Sequence, residues 1–187
     1  MHLKHLTASD YKTMPWKNGG GTTTELMVEP HGAGTGYDWR LSIAAVGQSG
    51  PFSDFAGYDR TIMLIEGAGF TLEFDSADKK ILNHRFEPFA FAGEWRTDCK
   101  LIDGPIRDFN LIARKGTPAV LEALHLARGP SQVAAAETVI IHLFQGEVDA
   151  CGESLGAGDT LRIDQQGGPI VLQAREPAMA ALIRIGG

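Results

Sequence analysis

Apolar and polar residues alternate in short segments along most of this chain. In "DWRLSIAAV" (residues 38–46) and "GFTLEF" (residues 69–74), every second residue is apolar and the residues between are mostly polar or small. This period of two is typical of a β-strand with one face buried. Further candidates are "TIMLIEG", "DFNLIAR", "TVIIHLFQG", "DTLRI", "PIVLQA" and "AALIRI", separated by turn-forming stretches such as "DSADKK" and "QQGGP". The pattern predicts an all-β protein built from many short strands.

One segment lacks this alternation. "TPAVLEALHLARG" (residues 117–129) runs for a dozen residues without clear alternation or turn signals. Two interpretations remain open, a short helix linking two halves or an irregular crossover.

A faint internal repeat predicts two halves. Residues 62–74 and 140–150 each read as an apolar strand, a glycine and a second strand, with Gly67 and Gly146 in equivalent places. In the second half, Gly158 and Asp159 are expected to turn the chain into a closing strand. This arrangement is typical of small antiparallel barrels, and two barrels fit the 187 residues. We therefore expect an N-terminal barrel over residues 1–118 and a C-terminal barrel over residues 119–187.

Charge and cysteine content narrow the class of protein. The net charge of −6 argues against nucleic acid and anionic membranes as partners. Cys99 and Cys151 are the only cysteines, far from any C-x-x-C spacing, which favours a reducing compartment. We found no leader-like or membrane-spanning apolar run. We expect a cytoplasmic protein with no membrane partner.

The stretch "PWKNGGGTTTEL" (residues 15–26) contains three consecutive glycines. No glycine in the chain precedes a lysine, which excludes a Walker A loop, and "GAGTGY" and "GAGFTL" both lack the third glycine of a dinucleotide fingerprint. The simplest interpretation is a turn before an edge strand. Trp16, Lys17 and Asn18 offer a stacking plane, a cation and an amide, however, and bare glycine backbone lets a ligand come close.

The sequence gives little support for a metal centre or a catalytic motif. No two of the six histidines are separated by a single residue, and His142 lies in an apolar run typical of a core histidine. We therefore predict no metal and no cofactor. The chain contains neither G-x-S-x-G nor H-E-x-x-H, and we assign no catalytic residue. Arg40 and Arg60, on or beside strands, are surface caps or, at a barrel mouth, the groups that grip a carboxylate.

Three long strings carry a resemblance to a known family. "PWKNGGGTTTEL", "YDWRLSIAAVGQSGPFSDFAGYDRTIMLIEGAGFTLEF" and "IDGPIRDFNLIARKG" resemble the HutD/Ves family over roughly residues 1–115. The resemblance implies a bicupin, with two jelly-roll barrels in one compact chain, and an association with bacterial histidine utilisation. It implies binding of a small carboxylate such as urocanate or formylglutamate, and no firm enzymatic activity. The residues carried over as ligand-binding candidates from the matched motifs are Trp16, Lys17, Asn18, Arg40, Asp59 and Arg60.

Three functional hypotheses follow. The first is a metal-free cupin that binds the carboxylate through Arg60, Lys17 and Asn18 and modulates histidine utilisation. The second is a metal-independent isomerase or hydrolase acting on a related acid, with a Glu or Asp beside Arg60 as acid–base group. The third is an interaction module. Cupin-type barrels often pair through sheet edges, so a homodimer is one further expectation, although nothing in the sequence fixes the oligomeric state.

Overall fold

The computed structural model describes residues 1–164 and 167–186. Within these ranges the regular elements are nineteen β-strands and a single turn of 3-10 helix, Ala8–Asp10. The predicted all-β class is confirmed. No helix in the described ranges has the length and apolar character needed to cross a membrane.

Contacts divide the chain into two compact units. The N-terminal unit comprises residues 12–116, and the C-terminal unit comprises residues 1–11 together with residues 117–187. The boundary between residues 116 and 117 lies near the predicted one between residues 118 and 119. Residues 1–11, however, were predicted to belong to the N-terminal half, and they lie in the C-terminal unit. They join the C-terminal unit because strand β1, His2–Leu6, pairs with β17, Thr160–Asp164, in antiparallel register.

The N-terminal unit contains two antiparallel sheets rather than one closed barrel. The six-stranded sheet has the order β2-β3-β4-β11-β6-β9, and the four-stranded sheet has the order β5-β10-β7-β8. The strands are β2 Lys12–Pro15, β3 Gly21–Pro30, β4 Tyr37–Val46, β5 Gly50–Pro51, β6 Tyr58–Glu66, β7 Phe70–Phe74, β8 Lys79–Leu82, β9 Pro88–Ala92, β10 Thr97–Leu101 and β11 Ile106–Arg114.

The core of this unit lies between apolar residues of these strands. Ala44, Ile62 and Leu64 come from the six-stranded sheet, and Phe70 and Leu72 come from the four-stranded sheet. Burying a side chain the size of Ile, Leu or Phe contributes about 1.5–3 kcal/mol to folding. Alternation thus supplies one apolar face per sheet, and the two faces pack in a sandwich.

The C-terminal unit repeats the two-sheet design. Its five-stranded sheet has the order β1-β17-β14-β19-β12, and its four-stranded sheet has the order β13-β18-β15-β16. The remaining strands are β12 Ala119–Leu126, β13 Gly129–Val133, β14 Thr138–Gln145, β15 Val148–Ala150, β16 Glu153–Leu155, β18 Ile170–Ala174 and β19 Ala178–Ile185. Its core includes Ile141, Leu143, Leu161, Val148 and Leu172.

The structure corrects both interpretations of residues 117–129, because this segment forms neither a helix nor an irregular crossover. Ala119–Leu126 is an edge strand that pairs with β19 in continuous register, from Ala119 opposite Ile185 to Leu126 opposite Ala178. Backbone pairing with a long neighbouring strand overrides the weak local preference of this segment.

The predicted equivalence of Gly67 and Gly146 is reproduced in the backbone. Both glycines have positive φ, +98° and +86°, in the region that L side chains rarely adopt. A Cβ at Gly67 would lie 2.7 Å from Pro105 O, and one at Gly146 would lie 2.9 Å from Pro177 O. At each glycine the chain therefore bends sharply against the start of a neighbouring strand, which is β11 for Gly67 and β19 for Gly146.

Candidate functional site

The N-terminal unit contains a cavity of about 760 Å³. This volume lies within the range of about 300–1,000 Å³ that is usual for small-molecule sites. Its walls come from strands β2, β3, β4, β5, β6 and β11, the β2–β3 turn and the segment after β5. The wall residues are Met14, Pro15, Trp16, Lys17, Asn18, Thr23, Arg40, Ser42, Ala44, Pro51, Phe52, Ser53, Phe55, Arg60, Asp108, Asn110 and Ile112.

Strand register gathers the polar side chains of this wall. On β11, Asn110 lies opposite Ser42 of β4, and Ile112 lies opposite both Arg40 of β4 and Arg60 of β6. Directly paired residues point to the same face of a sheet, and so do residues two apart along one strand. One end of the inner face is therefore polar, while Ala44, Ile62 and Leu64 continue the same face as apolar core.

Arg60 is the buried cation of the cavity. Its side chain is almost fully enclosed, with the residue 6% exposed, and its Nη2 donates a 3.1 Å hydrogen bond to Asn110 Oδ1. The guanidinium carbon lies 5.3, 4.9 and 4.9 Å from the ring centroids of Phe52, Phe55 and Phe91. Such aromatic faces attract a cation and hold its plane in place. Burial lowers the pKa of Arg60 to about 10, which leaves it positively charged at neutral pH.

Asp108 lies close to this cation, bridged to it by Asn110. Asn110 Nδ2 donates to Asp108 Oδ1, while Asp108 Oδ2 has no hydrogen-bond partner among the described residues. Burial raises the pKa of Asp108 to about 7, although the Asn110 hydrogen bond and the charge of Arg60 act in the other direction. Asp108 is therefore a carboxyl group whose charge changes near neutral pH.

Asp108 and Asn110 were not among the predicted site residues, and neither were Phe52 and Phe55. A signal for the first pair exists in "IRDFNLIAR", where Asp108 and Asn110, two positions apart, share one face of a strand whose other buried residues are apolar. Phe52 and Phe55 lie in "GQSGPFSDF" (residues 47–55), a stretch rich in Gly, Ser and Pro that is typical of a turn. Backbone hydrogen bonds from Phe52 N to Thr97 O and from Phe55 N to Gly93 O fix that stretch beside the cavity.

The segment from Trp16 to Gly21 forms a tight turn at the rim of the cavity. Trp16 N donates to Gly21 O at 2.9 Å, and Asn18 Oδ1 accepts from Gly20 N at 3.0 Å. A Cβ at Gly21 would lie 2.3 Å from Ala45 O and 3.1 Å from the Trp16 ring. The bare backbone at Gly21 thus lets the Trp16 ring lie against the sheet, where its Nε1 donates to Thr23 Oγ1 at 2.8 Å. Lys17 and Asn18 are exposed and line the rim.

Of the two remaining predicted site residues, Arg40 lines the cavity and Asp59 does not. Arg40 lines the cavity, but its Nε donates to Glu25 Oε2 at 2.8 Å, so its charge is already paired. Asp59 is exposed and does not line the cavity. It precedes Arg60 in strand β6, and successive side chains of a strand point to opposite faces.

The expectation of a core histidine is confirmed. His142 is buried in β14 of the C-terminal unit, and its Nδ1 lies 2.8 Å from Thr160 Oγ1. In the portion of the chain that the structure describes, no group of three or more His, Cys, Asp or Glu side chains converges to hold a metal ion.

The HutD family model matches residues 8–182, nearly the whole chain. The chain belongs to the HutD family. The predicted resemblance is confirmed over a longer stretch than the 115 residues from which it was inferred.

Two curated relatives match part of this HutD-family chain. An uncharacterised 21.2 kDa protein from the hutC 3′ region of Pseudomonas putida is 49% identical over 110 residues. Protein Ves of Cronobacter sakazakii is 37% identical over 110 residues. The chain spans little more than half the length of these curated relatives, since the alignments cover 57% and 59% of them and 59% and 57% of this chain.

A solved structure extends the likeness to the full length. HutD from Pseudomonas fluorescens SBW25, described for a formate condition, is 38% identical with a TM-score of 0.85 and complete coverage of both chains. The E. coli bacterial pirin YhhW in complex with nickel(II) shares the fold alone, at 15% identity and a TM-score of 0.73, with complete coverage of both chains. The bicupin prediction for this HutD-family chain is confirmed, with each half a pair of jelly-roll sheets.

Proposed function

We propose that this HutD-family protein binds a small carboxylate metabolite in the cavity of the N-terminal unit. The supporting observation is Arg60, a buried guanidinium without a paired carboxylate, held by three aromatic rings and Asn110 at the cavity wall. A buried charge without a partner is costly, and a bound carboxylate would supply that partner through charge-assisted hydrogen bonds. Lys17 and Asn18 at the rim would add a second cation and an amide.

The ligand class is narrowed by charge and by context. Arg40 is already paired with Glu25, so the cavity offers one unpaired buried cation, suited to one carboxylate group. The family and the hutC-region relative support a role in histidine utilisation, and the carboxylates expected from the family resemblance are urocanate and formylglutamate. In this proposal the protein binds its ligand without metal and modulates the pathway from the cytoplasm.

A melting-shift screen tests the proposal directly. Urocanate, formylglutamate, formate and glutamate are added to the wild type, to Arg60→Ala and to Arg107→Ala, a control that removes an exposed arginine of the same unit. Ligand at about 100 times its dissociation constant stabilises the folded state by about 2.7 kcal/mol. We expect at least one acid to raise the melting temperature of the wild type and of the control, but not of Arg60→Ala. Equal shifts in all three proteins, or none, contradict the proposal.

Asp108 favours a second candidate function. A buried carboxyl with a pKa of about 7 beside an arginine has the properties of a general acid–base group. The alternative is therefore a metal-independent isomerase or hydrolase acting on the same acid. Incubating the tightest-binding acid with stoichiometric protein, followed by NMR, separates the two, since a binding protein leaves the acid unchanged.

The sequence-based expectation of a homodimer stays a prediction. Sedimentation equilibrium of the full chain tests it, with and without the acid selected by the screen.

A further inference from the structure

Asp108 and Arg60 lie on either side of a single amide, that of Asn110, and make no direct ion pair. Arg60 Nη2 donates to Asn110 Oδ1, and Asn110 Nδ2 donates to Asp108 Oδ1. The amide oxygen thus faces the cation and the amide nitrogen faces the carboxyl group, so the orientation of Asn110 complements both neighbours. Asp108 is 1% exposed, and its Oδ2 lacks a partner among residues 1–164 and 167–186.

No other buried charge compensates a second anion here. The groups around Asp108 are Arg60 from β6, the Cys99 thiol from β10 and, farther along the cavity wall, Arg40 from β4. Burial, helped by the charge of Asp108, raises the pKa of Cys99 to about 12, so the thiol stays neutral. Arg40 is paired with Glu25, and Lys17 is exposed at the rim.

A carboxylate bound at Arg60 would therefore place two anions near one buried guanidinium. Two carboxylates in a common site cannot both ionise freely, and the pKa of one is raised strongly. Of the two, Asp108 is the one already shielded from water and left with an oxygen free to carry a proton. Its protonation would leave one positive and one negative charge in the cavity.

We propose that Asp108 takes up one proton when a carboxylate binds beside Arg60. This inference rests on the proposed function and gives it a pH dependence. Burial already raises the pKa of Asp108 to about 7, so above that pH the site must acquire a proton in order to bind. The affinity for a carboxylate is then expected to fall about 10-fold for each pH unit above neutrality. The protein would respond to the acid and to the proton together.

Calorimetry with formate and with formylglutamate as probes tests the coupling, because neither probe titrates between about pH 7 and 9. Binding heats are measured at about pH 8 in two buffers of different ionisation enthalpy, which gives the number of protons taken up. We expect nearly one proton for the wild type and for Asp59→Asn, an exposed carboxylate control in the same unit. For Asp108→Asn we expect nearly none, with an affinity that no longer depends on pH.

Each outcome has a distinct meaning. Binding by the wild type without proton uptake, or unchanged uptake in Asp108→Asn, overturns the coupling and leaves the proposed function intact. Failure of both probes to bind at any pH overturns the coupling for these acids, and the proposed function falls with it when urocanate and glutamate also give no melting shift. If Asp108→Asn does not fold, infrared difference spectra of the wild type replace it, and a protonated-carboxyl band must then appear when the probe is added at about pH 8. Absence of that band overturns the proposal.

Discussion

Arg40 Nε donates to Glu25 Oε2 at 2.8 Å across strands β3 and β4, whereas Arg60, on the same cavity wall, contacts an amide and three aromatic rings. Both arginines are cations, and they differ in whether a carboxylate of the protein already forms an ion pair with them. One already has its carboxylate, and the other is held in a fixed orientation without one. This difference separates the roles that the sequence assigned to both residues alike.

The first prediction concerns this difference. Arg60→Gln is expected to weaken binding of the acid by about 10- to 150-fold, because a hydrogen bond to a charged group contributes about 1.5–3 kcal/mol. Arg40→Gln is expected to change the affinity much less, since the Arg40 charge is neutralised by Glu25. Titration calorimetry at one pH measures both values. A larger effect at Arg40 than at Arg60 would contradict the assignment.

The second prediction concerns stability and pH. The pKa of Asp108 is raised by burial from 3.8 to about 7, so the folded protein binds more protons than the unfolded chain between these values. The free energy of unfolding should therefore be highest below about pH 4 as far as this group is concerned, and decline as the pH rises through about 7. Asp108→Asn removes this dependence and should become more stable relative to wild type with rising pH, by the order of a few kcal/mol.

Urea unfolding between about pH 4 and 8 measures this difference. Asp59→Asn is the control, and its stability should run parallel to that of the wild type across the range. A constant difference between wild type and Asp108→Asn would mean that the carboxyl group does not titrate in this range.

The third prediction concerns the bends at Gly67 and Gly146. Alanine at either position combines a left-handed backbone with a close contact to a neighbouring strand. We expect each substitution to destabilise the protein by about 2–5 kcal/mol, the sum of about 1–2 for the backbone and about 1–3 for overpacking. Gly57→Ala and Gly152→Ala are matched controls, since both glycines have positive φ but no atom within 4 Å of the added Cβ. Urea unfolding should show only the backbone cost in the controls.

The fourth prediction concerns a buried hydroxyl in the C-terminal unit. Thr160 Oγ1 lies 2.8 Å from His142 Nδ1 and 2.7 Å from Tyr11 Oη. Thr160→Val preserves the shape of the side chain but removes the oxygen that joins these two groups, at a cost of about 1–3 kcal/mol. Thr13→Val, which removes an exposed hydrogen bond to Thr24 Oγ1, should cost less than about 1 kcal/mol. Thermal unfolding compares the two, and equal losses would contradict the proposed importance of the buried network.

Much of the fold could be predicted from local pattern. Alternation in segments such as "DWRLSIAAV" fixed their strand type, and the paired glycines 67 and 146 predicted the duplication. The edge strand Ala119–Leu126 was not predicted, because its pairing with β19 is a long-range interaction without a local sequence signal. The first eleven residues were placed with the wrong half for the same reason, since β1 pairs with a strand more than 150 residues away.

Motif strings and alternation were enough to predict the family, the all-β class and a set of site candidates that included Trp16, Lys17, Asn18, Arg40 and Arg60. Only the tertiary structure separated Arg60 from Arg40, turned Asp59 away from the cavity and brought in Asp108, Asn110, Phe52 and Phe55. The physical reason is that the charge state and availability of a side chain depend on burial and on partners from other strands. Those partners are set by the register of β3, β4, β6 and β11, which is fixed only when the sheet forms.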